Sequence, residues 1–460
     1  MPSLRIYYKS VLGLRCLQSR LFSSSSSVKE DNRQLLKAGT RYLSEDTIER
    51  TRKNVELRKL YIDFDHLVGE YHKYLQLQER ISDLEHEKKR ASEIISSTTI
   101  DNEKEDMIYQ VRQLKSKLND LKAEMHPVEK SFIHNVSFLP NNIHPDAPIG
   151  HEPRLVEYLN KKHCRDFTPL DYKELGKRHD LFDIPSAAQC SGEGFYYLKG
   201  EAAVLELALI QYAMSKAIKN GYYPIATPDV IRTHVADRCG YQARSGENQY
   251  YLLANEDKCL SGTAEIPLAG MYLNKNVLYS DLPIKLVAFG RCFRVETGGR
   301  GRGEGRLYRV HQFSKVELFG LTANEDRTES EELLDEMVAL QKEINTELGL
   351  HCRVLDMPTE DLGVPAYRKF DIEAWMPGLN RYGEVTSASN CTDYQSQRLN
   401  ITYRMKDVPV SKYKTCPDWK YVHTVNGTAC AVPRTLIALL ETHQKENGSY
   451  SLPDVLGVKL

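Results

Sequence analysis

The sequence has no Cys-x-x-Cys pair. Its ten cysteines stand singly from Cys16 to Cys430. That spacing speaks against both a zinc cage and a disulfide framework. Long apolar runs are also missing: no stretch approaches the roughly 18 to 20 uninterrupted apolar residues of a membrane span, so no membrane association is expected. Neither sign of charge dominates, with 62 basic and 63 acidic residues. Without a strong net field, any contact with nucleic acid must come from local patches. The first 29 residues contain no acidic side chain, yet they carry Arg5, Lys9, Arg15, Arg20 and Lys29 and a serine run from Ser23 to Ser27. A basic, serine-rich, acid-free start is the pattern of a mitochondrial transit peptide, so residues 1–29 are read as one and a matrix location is expected.

The chain's 460 residues are more than one small core organises. Residues 60–135 are rich in Lys, Glu, Gln and Leu. Met107, Val111, Leu114, Leu118, Leu121, Met125, Val128 and Phe132 alternate spacings of four and three, which is a heptad stripe. A rougher stripe precedes it: Tyr71, Tyr74, Leu77, Ile81, Leu84, Lys88, Ala91 and Ile95. The polar break from Ser96 to Asn102 predicts a turn, with Thr99 or Asp101 as N-cap, and two helices so joined pair antiparallel. Pro127 is expected to kink the second helix or end its regular part. The stretch 138–151 holds Pro140, Pro145 and Pro148 and reads as a linker. The expected organisation is a transit peptide over 1–29, a helical-hairpin domain over 30–137, that linker, and a second domain over 152–460. The second domain mixes strands and helices without a βαβ rhythm, so its class is α+β, an antiparallel sheet flanked by helices.

Leu282 to Phe319 reads as a long hairpin. Its outgoing strand is expected over Leu286–Glu296 and its return strand over Tyr308–Phe319. Period-two alternation then puts Arg294 and Glu296 on one face, and His311, Phe313, Lys315 and Glu317 on another. A surface bearing an arginine, an aromatic ring and carboxylates can hold a charged ligand with a flat ring. The loop Thr297–Arg306 combines glycines with three arginines and can wrap phosphates. No βαβ unit surrounds it and no Walker lysine-serine pair follows, so a dinucleotide fingerprint is a weak reading, and a solvated turn is the alternative for the loop taken alone.

Four segments, in order, carry a resemblance. FRVE ending at Glu296, followed by RVHQFSKVE from Arg309 to Glu317, resembles motif 2 of the class II aminoacyl-tRNA synthetases in its seryl version. Thr263-Ala264-Glu265 resembles the TxE loop of the seryl-tRNA synthetases. Gly383 to Gln395 is similar to their EVSSCSNCxDFQ segment, and His423 to Thr435 to their motif 3. The helical hairpin is similar to the family's tRNA-binding coiled-coil arm. The likeness spans roughly residues 60–455.

The resemblance implies activation of serine with ATP to seryl adenylate, then transfer to the 3′ end of tRNA(Ser), here a mitochondrial one. It implies that Arg294 clamps the α-phosphate, Phe313 stacks on adenine, and the backbone about Val295, Glu296 and Val310 reads the base edge. Glu384 and Ser387 would hold Mg²⁺ on the phosphates, with Val385 and Thr386 beside the nucleotide, and Arg434 would meet the γ-phosphate. Glu317, with Arg294, would hold serine; Thr263, Ala264 and Glu265 would lie by its amino group, Thr428 by its hydroxyl, and Asn390 nearby. Arg294, Glu384 and Arg434 are thus the implied catalytic residues. A homodimer is implied too, built on the helix from Ala203 and the segment Gly221–Pro228. Two departures stand out: Gly305-Arg306 where the family has Arg-Gly, and Gln397-Arg398 where it has paired arginines, losing one basic contact. They keep open a non-catalytic paralogue that binds tRNA or a protein partner. A coiled-coil scaffold with an incidental globular domain leaves the motifs unexplained.

Overall fold

The computed structural model describes residues 34–97, 101–241, 249–296, 307–326, 328–404 and 419–458. The acid-free start, Thr99 and the loop 297–306 with its Gly305-Arg306 order lie outside the described residues. The chain divides into two compact units: residues up to Ile48 with Asp63–Ser137, and Glu49–Ile62 with Phe138 onward.

In the first unit, α1 (Phe64–Ser97) and α2 (Asp101–Val136) pair antiparallel. The heptad positions form the seam. Leu77, Ile81 and Leu121 make a buried cluster with Leu84, Met125 and Val128 against it. Tyr71 and Tyr74 stack on the buried Phe132, with ring centres 5.7 and 5.4 Å away. Lys122 and Glu85 pair at 2.6 Å on the exposed flank. Asp101 is already the first helical residue rather than a cap. Pro127 does not end the helix, which runs on to Val136. A proline removes one helical hydrogen bond, and the packing of Phe132 just beyond it offsets that loss.

The second unit is built on an eight-stranded sheet. In chain order its strands are β1 (Arg154–Leu159), β2 (Tyr223–Ala226), β3 (Ile284–Phe293), β4 (Gln312–Thr322), β5 (Cys352–Asp356), β6 (Arg368–Met376), β7 (Arg381–Thr392) and β8 (His423–Ala431). Across the sheet the order is β1-β5-β6-β7-β8-β4-β3-β2. Every pairing is antiparallel except β2 with β3, which is parallel. The α+β reading therefore holds.

Alternation along β4 divides the interior. Val316 and Leu318 join a core supplied by three helices: α3 (Gly200–Lys219), α5 (Glu329–Glu347) and α7 (Val432–Thr442). The residues of opposite parity, Phe319 and Leu321, join a second cluster that includes Ile266 and Leu268 of α4 (Glu265–Gly270) and Leu399 of α6 (Tyr394–Leu399). Lys315 and Glu317 share that second face, so the strand that anchors the core also presents charge on its other side. The segment 138–151 is packed within this unit. Leu139 is buried, and the Asn141 amide donates to the carbonyls of Cys391 and Pro365 at 2.8 and 2.9 Å. The buried Arg58 guanidinium donates to the carbonyls of Asn141, Gly363 and Ala366 at 2.7 to 3.0 Å. These bonds tie residues 49–62 into the same unit.

Candidate active site

The hairpin of β3 and β4 builds the floor of the site. Its register sets Ala288 opposite Glu317, Gly290 opposite Lys315 and Cys292 opposite Phe313. Long side chains on one strand thus stand beside small ones on the other. A Cβ at Gly290 would come 3.2 Å from that of Ala264. The missing side chain lets the loop Thr263-Ala264-Glu265 lie on the sheet. The regular ladder ends at Phe293 and Gln312, short of both expected strand limits. Beyond it the Arg294 N–H still donates to the His311 carbonyl at 2.9 Å, while the Val295 N–H turns to Gln249 at 3.0 Å. His311 does not join Phe313 on the floor. Its ring stacks on Phe195 at 5.5 Å and pairs through Nδ1 with the Tyr251 hydroxyl at 2.5 Å.

An open cleft of about 270 Å³ lies over this floor. Arg294, Glu296, Val310 and Phe313 line it from the hairpin, Glu384, Val385 and Ser387 from β7, and Arg434 from the first turn of α7. These eight belong to the predicted nucleotide set. Arg294 and Glu296 do share a surface, as alternation predicted. The Arg294 guanidinium lies 5.2 Å from the centre of the Phe313 ring, and its Nε donates to the Gly262 carbonyl at 3.2 Å. Pro433 stands in the first turn of α7, where its missing N–H costs no helical bond. The N-terminus of this helix, with Ala431 and Pro433, therefore borders the cleft and favours negative charge there.

Charges in the cleft are paired. Arg434 Nη1 lies 3.1 Å from the Glu384 carboxylate. Burial alone raises a carboxyl, but Lys369, Arg434 and Arg294 together hold that of Glu384 down at about 2. It is therefore ionised at any working pH. Lys369 also pairs with the buried Asp371 at 2.7 Å. At the inner end, the buried Lys315 and Glu317 pair at 2.6 Å, and the Thr428 hydroxyl donates to Glu317 at 3.3 Å. Glu265 is half-buried and accepts from the amides of Gln395 and Asn426 at 2.5 and 3.0 Å. Burial, reinforced by the Glu317 charge, raises its carboxyl to about 7. Two neighbouring carboxylates, the buried Glu317 and the half-buried Glu265, with one lysine paired to Glu317, suit a ligand that brings its own cation, such as an ammonium group.

The remaining predicted residues divide. Thr263 is buried beside Glu265, its hydroxyl accepting from the Glu265 N–H at 3.4 Å. Ala264 meets the sheet through its backbone and methyl group. Asn390 does not reach the site: its amide donates to Ser330 of α5 at 3.0 Å and its oxygen accepts the Thr392 N–H at 2.8 Å. Alternation along β7 puts Asn390 and Thr386 with Ala388 on the helix-covered face, so neither side chain faces the cleft. Gln397 sits within α6, bonded to Asp393 at 2.7 Å; the altered position is not part of the cleft lining. Sequence reasoning missed Tyr308 and Lys369, which line the cleft, and Asn426, which holds Glu265. The signal for Lys369 was its same-face spacing to Asp371, but nothing local showed that β6 lies beside β7.

The donors fit a magnesium ion that arrives on a nucleotide. Such an ion takes one or two protein oxygens and fills its shell from phosphates and water. Glu384, held ionised, and the Ser387 hydroxyl meet that need. Among the described residues no group of three His, Cys, Asp or Glu gathers to hold a metal unaided.

Two family models match the chain: "Seryl-tRNA synthetase N-terminal domain" over residues 40–143 and "tRNA synthetase class II core domain (G, H, P, S and T)" over 251–443. A Mus musculus protein named "Serine--tRNA ligase, mitochondrial" is 40% identical over 425 residues, covering 89% of this chain and 80% of that one. The chain belongs to the seryl-tRNA synthetase family. A "Serine--tRNA ligase" of Treponema denticola is 38% identical over 418 residues, 89% of this chain and 96% of the relative. The crystal structure of seryl-tRNA synthetase from Pyrococcus horikoshii complexed with ATP superposes with a TM-score of 0.79 at 30% identity, covering 91% of this chain and 96% of that one. The class II core of this seryl-tRNA synthetase contains the whole cleft, from Arg294 to Arg434, and the Thr263–Glu265 loop.

Proposed function

We propose that this chain is a catalytically active serine--tRNA ligase of the mitochondrial matrix. It activates serine with ATP and transfers it to the 3′ end of mitochondrial tRNA(Ser). The observation that carries this reading is that Arg294, Glu384 and Arg434 line one cleft whose inner wall, at Thr428, is bonded to the buried Glu317. A nucleotide with its base on Phe313 has its α-phosphate within reach of Arg294, because ring and guanidinium are neighbours. A planar fork suits a phosphate better than a point charge does. One oxygen of the serine carboxylate attacks the α-phosphorus, and the bond from that phosphorus to the bridging oxygen of pyrophosphate breaks. No general base is needed, since the attacking carboxylate is already ionised. Catalysis is then positioning together with stabilisation of the charge that builds on the α-phosphate. Arg434 and the start of α7 face the departing phosphates. Bound with ATP, Mg²⁺ held by Glu384 and Ser387 would neutralise phosphate charge.

Glu265, with Thr263, receives the serine ammonium group, and Glu317 with Thr428 receives the hydroxyl. An analogue lacking the hydroxyl leaves those buried groups unpaired, which is the basis for rejecting alanine and glycine. In the second step a hydroxyl of the terminal ribose attacks the acyl carbon and AMP departs. The helical hairpin of α1 and α2 is the tRNA-binding arm. The molecule is a homodimer. In support, Val204 and Leu207 of α3 and Tyr223 on the edge strand β2 are exposed apolar side chains in the single chain. Residues 1–29 are the import signal. Among the described residues no helix is long and apolar enough to cross a membrane. Charging of mitochondrial tRNA(Ser) with labelled serine tests the reading. Charging that needs ATP and serine supports it; folded protein that binds the tRNA but never charges it overturns it in favour of a non-catalytic binder.

A further inference from the structure

Tyr308 is a cleft residue that the family motifs leave without a task. It stands near the start of the return segment of the hairpin and lines the cleft beside Arg434. Two guanidinium groups lie over its ring, those of Arg434 and Arg381, each 4.7 Å from the ring centre. The Tyr308 carbonyl accepts from Arg434 Nε at 3.4 Å. Room for the ring is made by Gly383, where an added Cβ would come 2.9 Å from both Cε2 and Oη of Tyr308. Arg434 is held from the other side by Glu384, whose carboxylate and backbone carbonyl accept from Nη1 at 3.1 and 3.3 Å.

Two guanidinium groups around one ring repel each other. The electron-rich face of the ring and the Glu384 carboxylate offset part of that repulsion. A polyphosphate entering beside Arg434 relieves the rest, so the arrangement suits a multiply charged anion more than a singly charged one. An arginine with many rotatable bonds otherwise loses conformational freedom when it grips a phosphate. Fixing it beforehand through ring and carbonyl removes that loss.

We propose that Tyr308 is a positioning residue for the triphosphate of ATP: its ring and carbonyl hold Arg434 at the angle from which the guanidinium fork meets the γ-phosphate. The inference rests on the assignment of Arg434 to that phosphate made above.

Equilibrium binding of ATP and of AMP to the full chain tests it without requiring turnover. Tyr308→Phe keeps the ring and should bind ATP within about twofold of the wild type. Tyr308→Leu should weaken ATP by roughly five- to tenfold and leave AMP unchanged. In serine-dependent pyrophosphate exchange, KM for ATP should rise while KM for serine stays. Should Tyr308→Leu unfold, Tyr308→Met carries the same comparison. In an Arg434→Ala background the ring substitution should cost nothing further. Wild-type ATP binding by the leucine variant, equal loss of ATP and AMP, or tighter ATP binding (the mark of an arginine parked by the ring) would each overturn the proposal. Wild-type protein that binds ATP yet shows no serine-dependent exchange would instead count against the enzymatic reading, and the binding comparison would stand.

Discussion

Thr428 and Glu317 face each other across paired strands. They are register partners in β8 and β4, and the Thr428 hydroxyl donates to the Glu317 carboxylate at 3.3 Å. This pair closes the inner end of the cleft, where the serine hydroxyl is proposed to bind. Thr428→Val keeps the shape and removes the donor. KM for serine in pyrophosphate exchange should rise roughly tenfold, as expected when a buried acceptor loses a partner. KM for ATP should change less than twofold. An unchanged KM for serine would remove Thr428 from the serine site.

Glu265 makes the site sensitive to pH. Burial and the Glu317 charge raise its carboxyl to about 7, from an ordinary 4.5. The proposed pairing of Glu265 with serine's ammonium group needs the ionised form, so KM for serine should climb as pH falls below about 7 and level off above it. Glu265→Gln should show a high KM at every pH. Stability moves the other way. A raised folded-state pKa means that the folded protein holds the proton more tightly than the unfolded chain does. Ionising Glu265 therefore destabilises the fold progressively from about pH 4.5 to about 7, and by a constant amount above. Glu265→Gln should be more stable than the wild type at pH 8 by on the order of 3 kcal/mol, with no gain below about pH 4.5. Thermal unfolding midpoints across pH 4 to 8 check the sign.

The arm is a separate compact unit, and its removal should separate the two half-reactions. Deleting residues 70–125 is expected to leave pyrophosphate exchange within about twofold while tRNA charging falls at least roughly a hundredfold. Charging by the intact chain should weaken steeply as salt rises from 50 to 200 mM, since lysine and arginine contacts to phosphates release counterions. Equal loss of both steps would contradict an arm dedicated to tRNA.

Leu207 is 68% exposed on α3 although it is a large aliphatic side chain. In the proposed homodimer it would be buried against the second copy, and Leu207→Glu would set two buried charges against each other across a two-fold interface. Sedimentation should give twice the chain mass for the wild type and the single chain mass for Leu207→Glu. A wild-type monomer would refute the dimer.

The parts of this fold that were legible in the sequence are those written in local periodicity. Every residue of the two heptad stripes is buried or half-buried in the arm, even Lys88, because helical spacing alone determines which face is covered. Period two likewise brought Phe313, Lys315 and Glu317 to one surface. What stayed hidden depends on contacts distant in sequence. Lys369 reaches Glu384 only because β6 lies beside β7, and Tyr308 meets Arg434 across 126 positions. Asn390 was misplaced because a motif match names a residue without saying which side of its strand faces the ligand. Segment 138–151 reads as a linker from its prolines, and yet Asn141 is buried, because its amide satisfies the backbone carbonyls of two other segments.

Serine-dependent exchange of pyrophosphate into ATP, measured for the wild type and for Arg294→Ala, tests the account most directly. The wild type should exchange rapidly with serine and only at background with alanine. Arg294→Ala should lower exchange by roughly a hundred- to a thousandfold, with little change in the unfolding midpoint. A folded wild type with no serine-dependent exchange, or an Arg294→Ala variant exchanging at the wild-type rate, would contradict it.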